Sequence, residues 1–176
     1  MHTVATVCFL SREGENGREI LLRKRKSRRW NGILNGCGGE IEDEDKGNLK
    51  ACACRKTLEE SGCLALTEDL LHIATVDFYH LTSGKPRSHS LRWKVHYFTT
   101  DKWQGDPRPL DGFENFDWFP VGDLPFEQMM SDTRYWLNHA LNQKDLSPLY
   151  ARVKYGDFKQ KTVSEIYIGE ESKQYI

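Results

Sequence analysis

The sequence lacks a large net charge, a long hydrophobic run and a paired arrangement of cysteines. Its 176 residues carry 25 Lys and Arg against 26 Asp and Glu, a net charge of −1. This balance argues against a globally basic nucleic-acid binder and against an acidic disordered chain. No apolar segment approaches the roughly 20 residues of a membrane-spanning helix. We therefore expect a globular protein that does not span a membrane.

The five cysteines are an odd number, and their spacing is not that of a small disulfide-bonded scaffold. Free thiols in a reducing compartment are expected. The Cys52-x-Cys54 pair is a weak zinc signal, because structural zinc sites usually need two such pairs. The N-terminal ten residues have neither a basic region nor a cleavage site, so we expect a strand there rather than a signal peptide. These features predict a cytoplasmic protein.

The length favours a single domain over residues 1–176, and no repeat or interdomain linker is evident. Apolar runs and alternation predict strands, and helical spacing predicts helices. The predicted strands are 4–10, 19–22, 72–80, 91–97, 118–119 and a terminal hairpin of 150–155 with 162–168; the predicted helices are 49–61 and 133–143. The Gly- and Pro-rich composition of residues 101–115 predicts a loop. Strands outnumber helices, so the class is α+β or α/β with a mixed sheet.

The first predicted helix has signals at both ends. Asn48 is a plausible N-cap, and Gly62 stands at the position where a helix commonly ends in a left-handed residue. Ala51, Cys54 and Leu58 repeat at helical spacing, and we expect them to form its buried stripe.

Two adjacent carboxylates, Glu59 and Glu60, fall in the last turn of this helix, where they oppose the helix dipole. One interpretation is a solvated face on which Arg55 partly neutralises Glu59. The other is a metal site, because Mg²⁺ prefers carboxylate ligands. A glycine cluster just upstream would let the backbone approach a metal or a phosphate closely. Its members are Gly32, Gly36, Gly38 and Gly39.

Together these features resemble the Nudix box, G-x5-E-x7-R-E-U-x-E-E-x-G-U, where U is aliphatic. Residues 38–39 open it and residues 55–63 (RKTLEESGC) close it. Residues 34–42 (LNGCGGEIE) look like the approach to the box in MutT-type nucleotide-pool sanitising enzymes. The segments similar to the C-terminal half of the animal-type oxidised-purine nucleoside triphosphate diphosphatases are 118–120, 124–126 and 132–136. The resemblance covers about residues 3–170.

The resemblance implies an α/β/α sandwich around a mixed sheet. It also implies a Mg²⁺- or Mn²⁺-dependent attack of water on a nucleoside triphosphate, releasing a nucleoside monophosphate and pyrophosphate. The substrate would be a modified purine nucleotide such as 8-oxo-dGTP, and the chain would be a monomer or a homodimer. The alternatives are a catalytically weak nucleotide-binding module, and a hydrolase of dinucleotides or of the RNA cap.

By the same resemblance, Glu60 would be the principal metal ligand and Glu59 a ligand or a water-orienting base. The carbonyl of Gly39 would complete the metal's shell, and Arg55 would orient the carboxylates. Glu114 stands near the place where the family has another catalytic acid, although a plain loop acid is an equal interpretation.

Asn35 and Asp132 would read the edge of a purine, since hydrogen-bonded edges discriminate strongly between bases. Asp132 also has an ordinary interpretation as the N-cap of the second helix. Thr133 stands where the animal-type enzymes have a second Asp, which would change the tolerance for oxidised adenine. Met130 stands where they have a stacking Trp, which would loosen the pocket. Three aromatic side chains would form walls, with ordinary core as the alternative: Phe78, Trp30 and Trp136.

Lys56 stands where the box has a metal-binding Glu, and Asp45 reaches the early Glu position only with a two-residue insertion. Lys56 could pair with Glu60 at i+4 and weaken metal binding. Two hypotheses follow. The chain is a working hydrolase with fewer metals, or with Glu42 or Glu44 substituting; or it is a nucleotide-binding domain with little catalysis. We favour the first.

Residues 23–29 contain six cations in seven positions. The run is a solvated loop, a surface that steers a triphosphate towards the site, or a contact for RNA or DNA. Aromatic residues are sparse nearby, so a nucleic-acid groove is poorly supported, apart from a capped RNA.

Overall fold

The computed structural model describes residues 2–25, 32–82, 88–108, 110, 113–143, 147–157 and 160–169. Its strands are β1 (Thr3–Gly14), β2 (Gly17–Arg25), β3 (Leu34–Asn35), β4 (Cys37–Glu40), β5 (Leu64–Ala65), β6 (Leu71–Leu81), β7 (His89–Thr100), β8 (Trp103–Gln104), β9 (Phe113–Pro120), β10 (Leu149–Tyr155) and β11 (Val163–Gly169). Its α-helices are α1 (Leu49–Ser61) and α2 (Thr133–Leu141). None of the described helices is long and apolar enough to cross a membrane.

Nine of these strands are joined in one mixed sheet, in the order β11-β10-β6-β7-β1-β2-β3, with β4 also paired to β1 and β9 to β2. The pairs β1–β7 and β6–β10 are parallel, and the other pairs are antiparallel. The strands β5 and β8 form a separate small ribbon. The predicted terminal hairpin is confirmed as β10 and β11.

The strand β1 lies within the sheet and has a helix on each side. Val7 and Phe9 belong to the same buried cluster as Trp136 of α2, whereas Cys8 clusters with Ala53 of α1. Successive side chains of a strand point to opposite faces, so α1 and α2 cover opposite faces of the sheet. This explains the continuous apolar run near the N-terminus and confirms the predicted α+β class, a mixed sheet between helices.

Both predicted end signals of α1 are confirmed. The side chain of Asn48 accepts hydrogen bonds from the backbone N–H groups of residues 50 and 51, which would otherwise lack helical partners. Gly62 adopts φ 73°, a left-handed conformation that costs glycine little. The helix therefore ends one turn or less after the two carboxylates.

The predicted buried stripe of α1 is wrong. Leu58 is 45% exposed, and Ala51 and Cys54 are only half-buried. The face that packs on the sheet consists of small side chains: Cys52, Ala53, Thr57 and Ser61. The hydroxyls of Thr57 and Ser61 donate to the carbonyls four residues earlier, at 2.7 and 2.6 Å. Because these hydroxyls are satisfied within the helix, a polar face can approach the sheet closely, which an apolar periodicity does not detect.

The predicted loop 101–115 is wrong at two places, since β8 lies within it and β9 begins at Phe113. The strand β9 runs antiparallel along β2, with Phe113 opposite Arg25 and Pro120 opposite Glu19. Pairing with a distant segment decided this conformation, whereas the Gly- and Pro-rich composition had favoured a loop.

Candidate active site

A cavity of about 680 Å³ opens between the glycine-rich strands, α1, β6 and the start of α2. Its charged end is lined by Arg23, Gly38, Gly39, Glu42, Lys56 and Glu60. Its aromatic end is lined by Asn35, Phe78, His80, Met130, Asp132, Thr133, Tyr155 and Gln160. The two ends therefore differ in chemistry and suit two chemically different parts of one ligand.

Glu60 is fixed at the charged end by two donors. Its Oε2 accepts a hydrogen bond from the backbone N–H of Gly38 at 2.7 Å and lies 2.8 Å from Nη2 of Arg23. The side chain of Arg23 is only 3% exposed, and its Nε also donates to the carbonyl of Gly36 at 2.9 Å. Charge-assisted bonds of this kind hold a carboxylate in one orientation, so Glu60 faces the cavity in a fixed position.

Gly38 is required by the close approach of β4 to β1. A Cβ on Gly38 would collide with the backbone carbonyl of Thr6. The absence of a side chain lets the N–H of Gly38 reach Glu60 while β4 stays paired with β1.

Arg55 holds the acidic turn against α1. Its guanidinium donates two hydrogen bonds to the buried carboxylate of Asp45, at 2.9 and 2.6 Å, and a third to Glu59 at 3.0 Å. Such a bidentate contact is the geometry that Arg and carboxylate prefer. The bonds from Arg55, together with the N–H of Glu42, lower the pKa of Asp45 to about 2. Asp45 therefore contacts Arg55 even though the segment between them carries the two-residue insertion described above.

We expect this carboxylate to make unfolding acid-sensitive. The folded pKa of Asp45 lies below its ordinary value, so its stabilising effect is complete above about pH 4 and is lost as the pH falls towards 2. An Asp45→Asn variant should lose about 1–3 kcal/mol of unfolding free energy at pH 7 and lose less than wild type on acidification. Thermal unfolding measured from pH 7 to pH 2 checks this. The Asp43→Asn variant, at an exposed position in the same turn, is the control, and equal acid sensitivity of Asp45→Asn and wild type would contradict the assignment.

Lys56 pairs with carboxylates on two elements. Its Nζ lies 2.8 Å from Oε1 of Glu42 and 2.9 Å from Oε2 of Glu59. Burial alone would lower the pKa of Lys56, but the hydrogen bonds to Glu42 and Glu59 outweigh it and the pKa is raised. Lys56 is therefore a permanent cation at the charged end of the cavity.

The described residues do not fit a resident divalent ion. Both oxygens of Glu59 are engaged, by Arg55 and by Lys56, and one oxygen of Glu60 is engaged by Arg23. Across the described ranges, no group of three or more His, Cys, Asp or Glu side chains is arranged to hold a metal ion. A Mg²⁺ site needs several oxygen ligands that are available to the ion. The charged end instead neutralises its acids with Arg and Lys.

Asp132 anchors the aromatic end. It is 1% exposed, and its two oxygens accept hydrogen bonds from the indole N–H of Trp136 at 2.8 Å and the hydroxyl of Tyr155 at 2.6 Å. Burial raises the pKa of Asp132, and the two hydrogen bonds oppose that rise. Asp132 is the N-cap residue of α2, as predicted, but its side chain makes no capping hydrogen bond to the helix. The carboxyl group is turned inwards, against the strand β10.

The walls of the aromatic end come from two parallel strands. Phe78 of β6 stacks on Tyr155 of β10, with ring centroids 6.2 Å apart and an angle of 9°. His80 meets the edge of Tyr155 at 5.5 Å, and its ring lies within hydrogen-bonding distance of the amide of Gln160. Burial raises the pKa of Tyr155, so its hydroxyl remains a donor to Asp132. These rings line one side of the cavity and form a surface on which a flat heteroaromatic group can pack.

The other predicted site residues fall into three groups: those that line the cavity, one that is buried behind it, and those that the structure does not describe. Asn35, Thr133 and Met130 line the cavity, and Asn35 also accepts from the N–H of Gly36 at 2.9 Å. Trp136 does not form a wall as expected, because it is fully buried behind two residues that line the cavity, Tyr97 and Asp132. Trp30 and the side chain of Glu114 lie outside what the structure describes.

Sequence reasoning missed several lining residues. Arg23 was grouped with the basic run 23–29, and a solvated loop was one interpretation of that run. In the structure Arg23 is instead buried on β2 beside Glu60. Continuing the strand of residues 19–22 by one residue would have found it. Tyr155 follows Ala151 and Val153 on one face of β10, and this alternation was a usable signal. No pattern in the sequence pointed to Gln160 or His80.

The five cysteines are free thiols, as expected. Burial raises the pKa of Cys8 to about 12 and that of Cys54 to about 11. Thiols protonated in this way are poor nucleophiles, and no cysteine is among the described residues that line the cavity.

The chain is similar to known proteins over most of its length. A family model described as the NUDIX domain matches residues 1–140. The chain is 31% identical to the "Oxidized purine nucleoside triphosphate hydrolase" of Danio rerio, over 71% of this chain and 73% of the relative. It is 29% identical to the protein of the same name from Mus musculus, with the same coverage. In fold it is similar to the solved MutT protein of Bacillus halodurans, at a TM-score of 0.70 and 17% identity, covering 94% of this chain and 97% of that one.

Proposed function

Since the chain belongs to the NUDIX domain family, we propose that it hydrolyses a purine nucleoside triphosphate to the nucleoside monophosphate and pyrophosphate. A modified purine such as that of 8-oxo-dGTP is the proposed base. The observation that carries the proposal is the joining of two sites in one cavity: Glu60, fixed by Arg23, at one end and Asp132 between aromatic rings at the other. The curated relatives, named as oxidized purine nucleoside triphosphate hydrolases, support the same substrate class.

The charged end would carry the reaction. Glu60 would orient a water molecule towards a phosphorus atom of the triphosphate and accept its proton, while the bond to the bridging oxygen breaks and pyrophosphate leaves. Arg23 would keep Glu60 in place, since it is itself held by the carbonyl of Gly36. Nudix hydrolases generally use divalent metal ions, and we propose that Mg²⁺ or Mn²⁺ enters here as part of the metal–nucleotide substrate.

The aromatic end would bind the base. Phe78 and Tyr155 would pack against one of its faces, and Asp132 and Asn35 would hydrogen-bond to its edge. Tyr155 and Trp136 hold both oxygens of Asp132 at defined positions. A rigid, buried hydrogen-bonding group discriminates strongly, because a wrong base leaves it unpaired. With Thr133 in place of a second acid, we expect oxidised guanine to be preferred over oxidised adenine.

A panel of nucleotides tests this function. We expect pyrophosphate and monophosphate from 8-oxo-dGTP with Mg²⁺ or Mn²⁺, with slower release from dGTP and from oxidised dATP. Pyrimidine triphosphates should be the poorest members of the panel. Dinucleotide polyphosphates and capped RNA complete it, because hydrolysis of these alone would reassign the chain to another substrate class.

A catalytically weak nucleotide-binding module is the second candidate. The ion pairs of Lys56 favour it, because they engage Glu42, which lines the charged end, and Glu59, an expected metal ligand. The same panel separates the two candidates. Tight binding of one nucleotide by calorimetry, without turnover of any, would establish the binding module and exclude the hydrolase.

A further inference from the structure

Lys56 is the point at which this chain departs most clearly from the Nudix box. Its ammonium lies within 2.9 Å of carboxylate oxygens from two different elements, Glu42 after β4 and Glu59 in α1. Its aliphatic stem crosses Gly39, where a Cβ would lie 2.9 Å from Cε of Lys56. The side chain is 17% exposed. A cation with two carboxylate partners is thus already built into the charged end of the cavity.

We propose that the ammonium of Lys56 takes the place of a protein-bound divalent ion. The chain without nucleotide then binds neither Mg²⁺ nor Mn²⁺ at this site, and any metal arrives with the nucleotide. This inference refines the proposed function by naming which cation belongs to the protein and which to the substrate.

Two physical reasons support this substitution. An ion placed between Glu42 and Glu59 would have to displace the ammonium that both already bind, and its charge would repel Lys56 if the two shared the carboxylates. The site also has room for the lysine side chain, because a Cβ at position 39 would lie 2.9 Å from Cε of Lys56 and Gly39 has none. The charged end is therefore assembled before any metal is present.

The clearest test is metal binding by the intact chain in the absence of nucleotide. We expect Mn²⁺, followed by electron paramagnetic resonance, to remain free in the presence of wild type, and the melting temperature to be the same in EDTA and in Mg²⁺. Lys56→Glu should restore a metal site. Its melting temperature should rise by about 5–10 °C at a Mg²⁺ concentration 100-fold above Kd.

Three further variants make the test specific. Lys56→Arg retains the cation and should behave as wild type. Lys56→Gln removes the cation without adding a ligand, so its Mn²⁺ affinity should lie between those of wild type and Lys56→Glu. This variant also allows the test to be made if Lys56→Glu does not fold. Lys102→Glu reverses the same charge beside another carboxylate, Asp69, at a surface site where Lys102 is 72% exposed, and it should acquire no metal.

Binding of Mn²⁺ by wild type as tightly as by Lys56→Glu would overturn the inference. So would a Lys56→Gln variant whose Mn²⁺ affinity equals that of wild type. Neither measurement uses a nucleotide or an activity, so failure of the proposed hydrolysis and failure of this inference are distinguishable. If the substrate panel shows no turnover, the metal titration still decides the role of Lys56.

Discussion

Replacing Glu60 with Gln is expected to lower pyrophosphate release by about 100- to 10,000-fold, the usual contribution of a general base. Gln has nearly the same shape and still offers an oxygen to the N–H of Gly38. It cannot accept a proton from water, and it cannot form an ion pair with Arg23. Steady-state release of pyrophosphate from the best substrate of the panel measures the effect.

The loss must be separated from a loss of folding, because Arg23 would be left buried beside a neutral group. Thermal unfolding and nucleotide affinity of the same variant provide this check, and Glu60→Asp, which retains the charge, is the second variant if Gln is not tolerated. Glu68→Gln, in the exposed turn after α1, is the matched control and should turn over at the wild-type rate. Wild-type turnover in a folded Glu60→Gln variant would remove Glu60 from the reaction.

The second large effect is expected at the other end of the cavity. Asp132→Asn should lower the affinity for the preferred purine nucleotide by about 10- to 100-fold, the cost of mispairing one buried hydrogen-bonding group. An amide offers one acceptor where the carboxylate offers two, so Trp136 or Tyr155 would face an NH₂ group. Calorimetric titration with purine and pyrimidine nucleotides measures the change.

The comparison between nucleotides is the control for this variant. A loss confined to purines indicates that Asp132 reads the base, whereas an equal loss for all nucleotides indicates general disruption. Tyr155→Phe removes one donor and retains the carboxylate, so its loss should be smaller than that of Asp132→Asn. An unchanged purine preference in Asp132→Asn would contradict the proposed base site.

Features set by neighbouring residues could be predicted from the sequence. The ends of α1 follow from Asn48 and Gly62, because a cap acts within one helical turn. The carboxylate pair was found for the same reason, since Arg55 lies four residues before Glu59 and their contact is local to the helix. The apolar run of β1 indicated a strand buried on both faces, because it is hydrophobic without alternation.

The pairing of β9 with β2 and the burial of the small face of α1 were not predictable in this way. Both depend on which distant segment lies alongside, and neither leaves a strong periodic signal in the chain. Asp132 was correctly placed before α2, but its side chain does not cap the helix, for a related reason. Its carboxyl group has a stronger arrangement available, because the hydroxyl of Tyr155, 23 residues away, lies 2.6 Å from it.

The sequence by itself determined the family, the mixed α+β fold and the positions of Glu59, Glu60 and Lys56 on one helix, because local spacing and motif order are properties of the chain. Only the tertiary structure decided what each charge faces. Glu60 receives the N–H of Gly38 from 22 residues away and pairs with the buried Arg23, while Lys56 binds Glu42 as well as Glu59. The physical reason is that a charge acts on whatever lies within a few ångströms of it, and folding, rather than sequence distance, sets those neighbours.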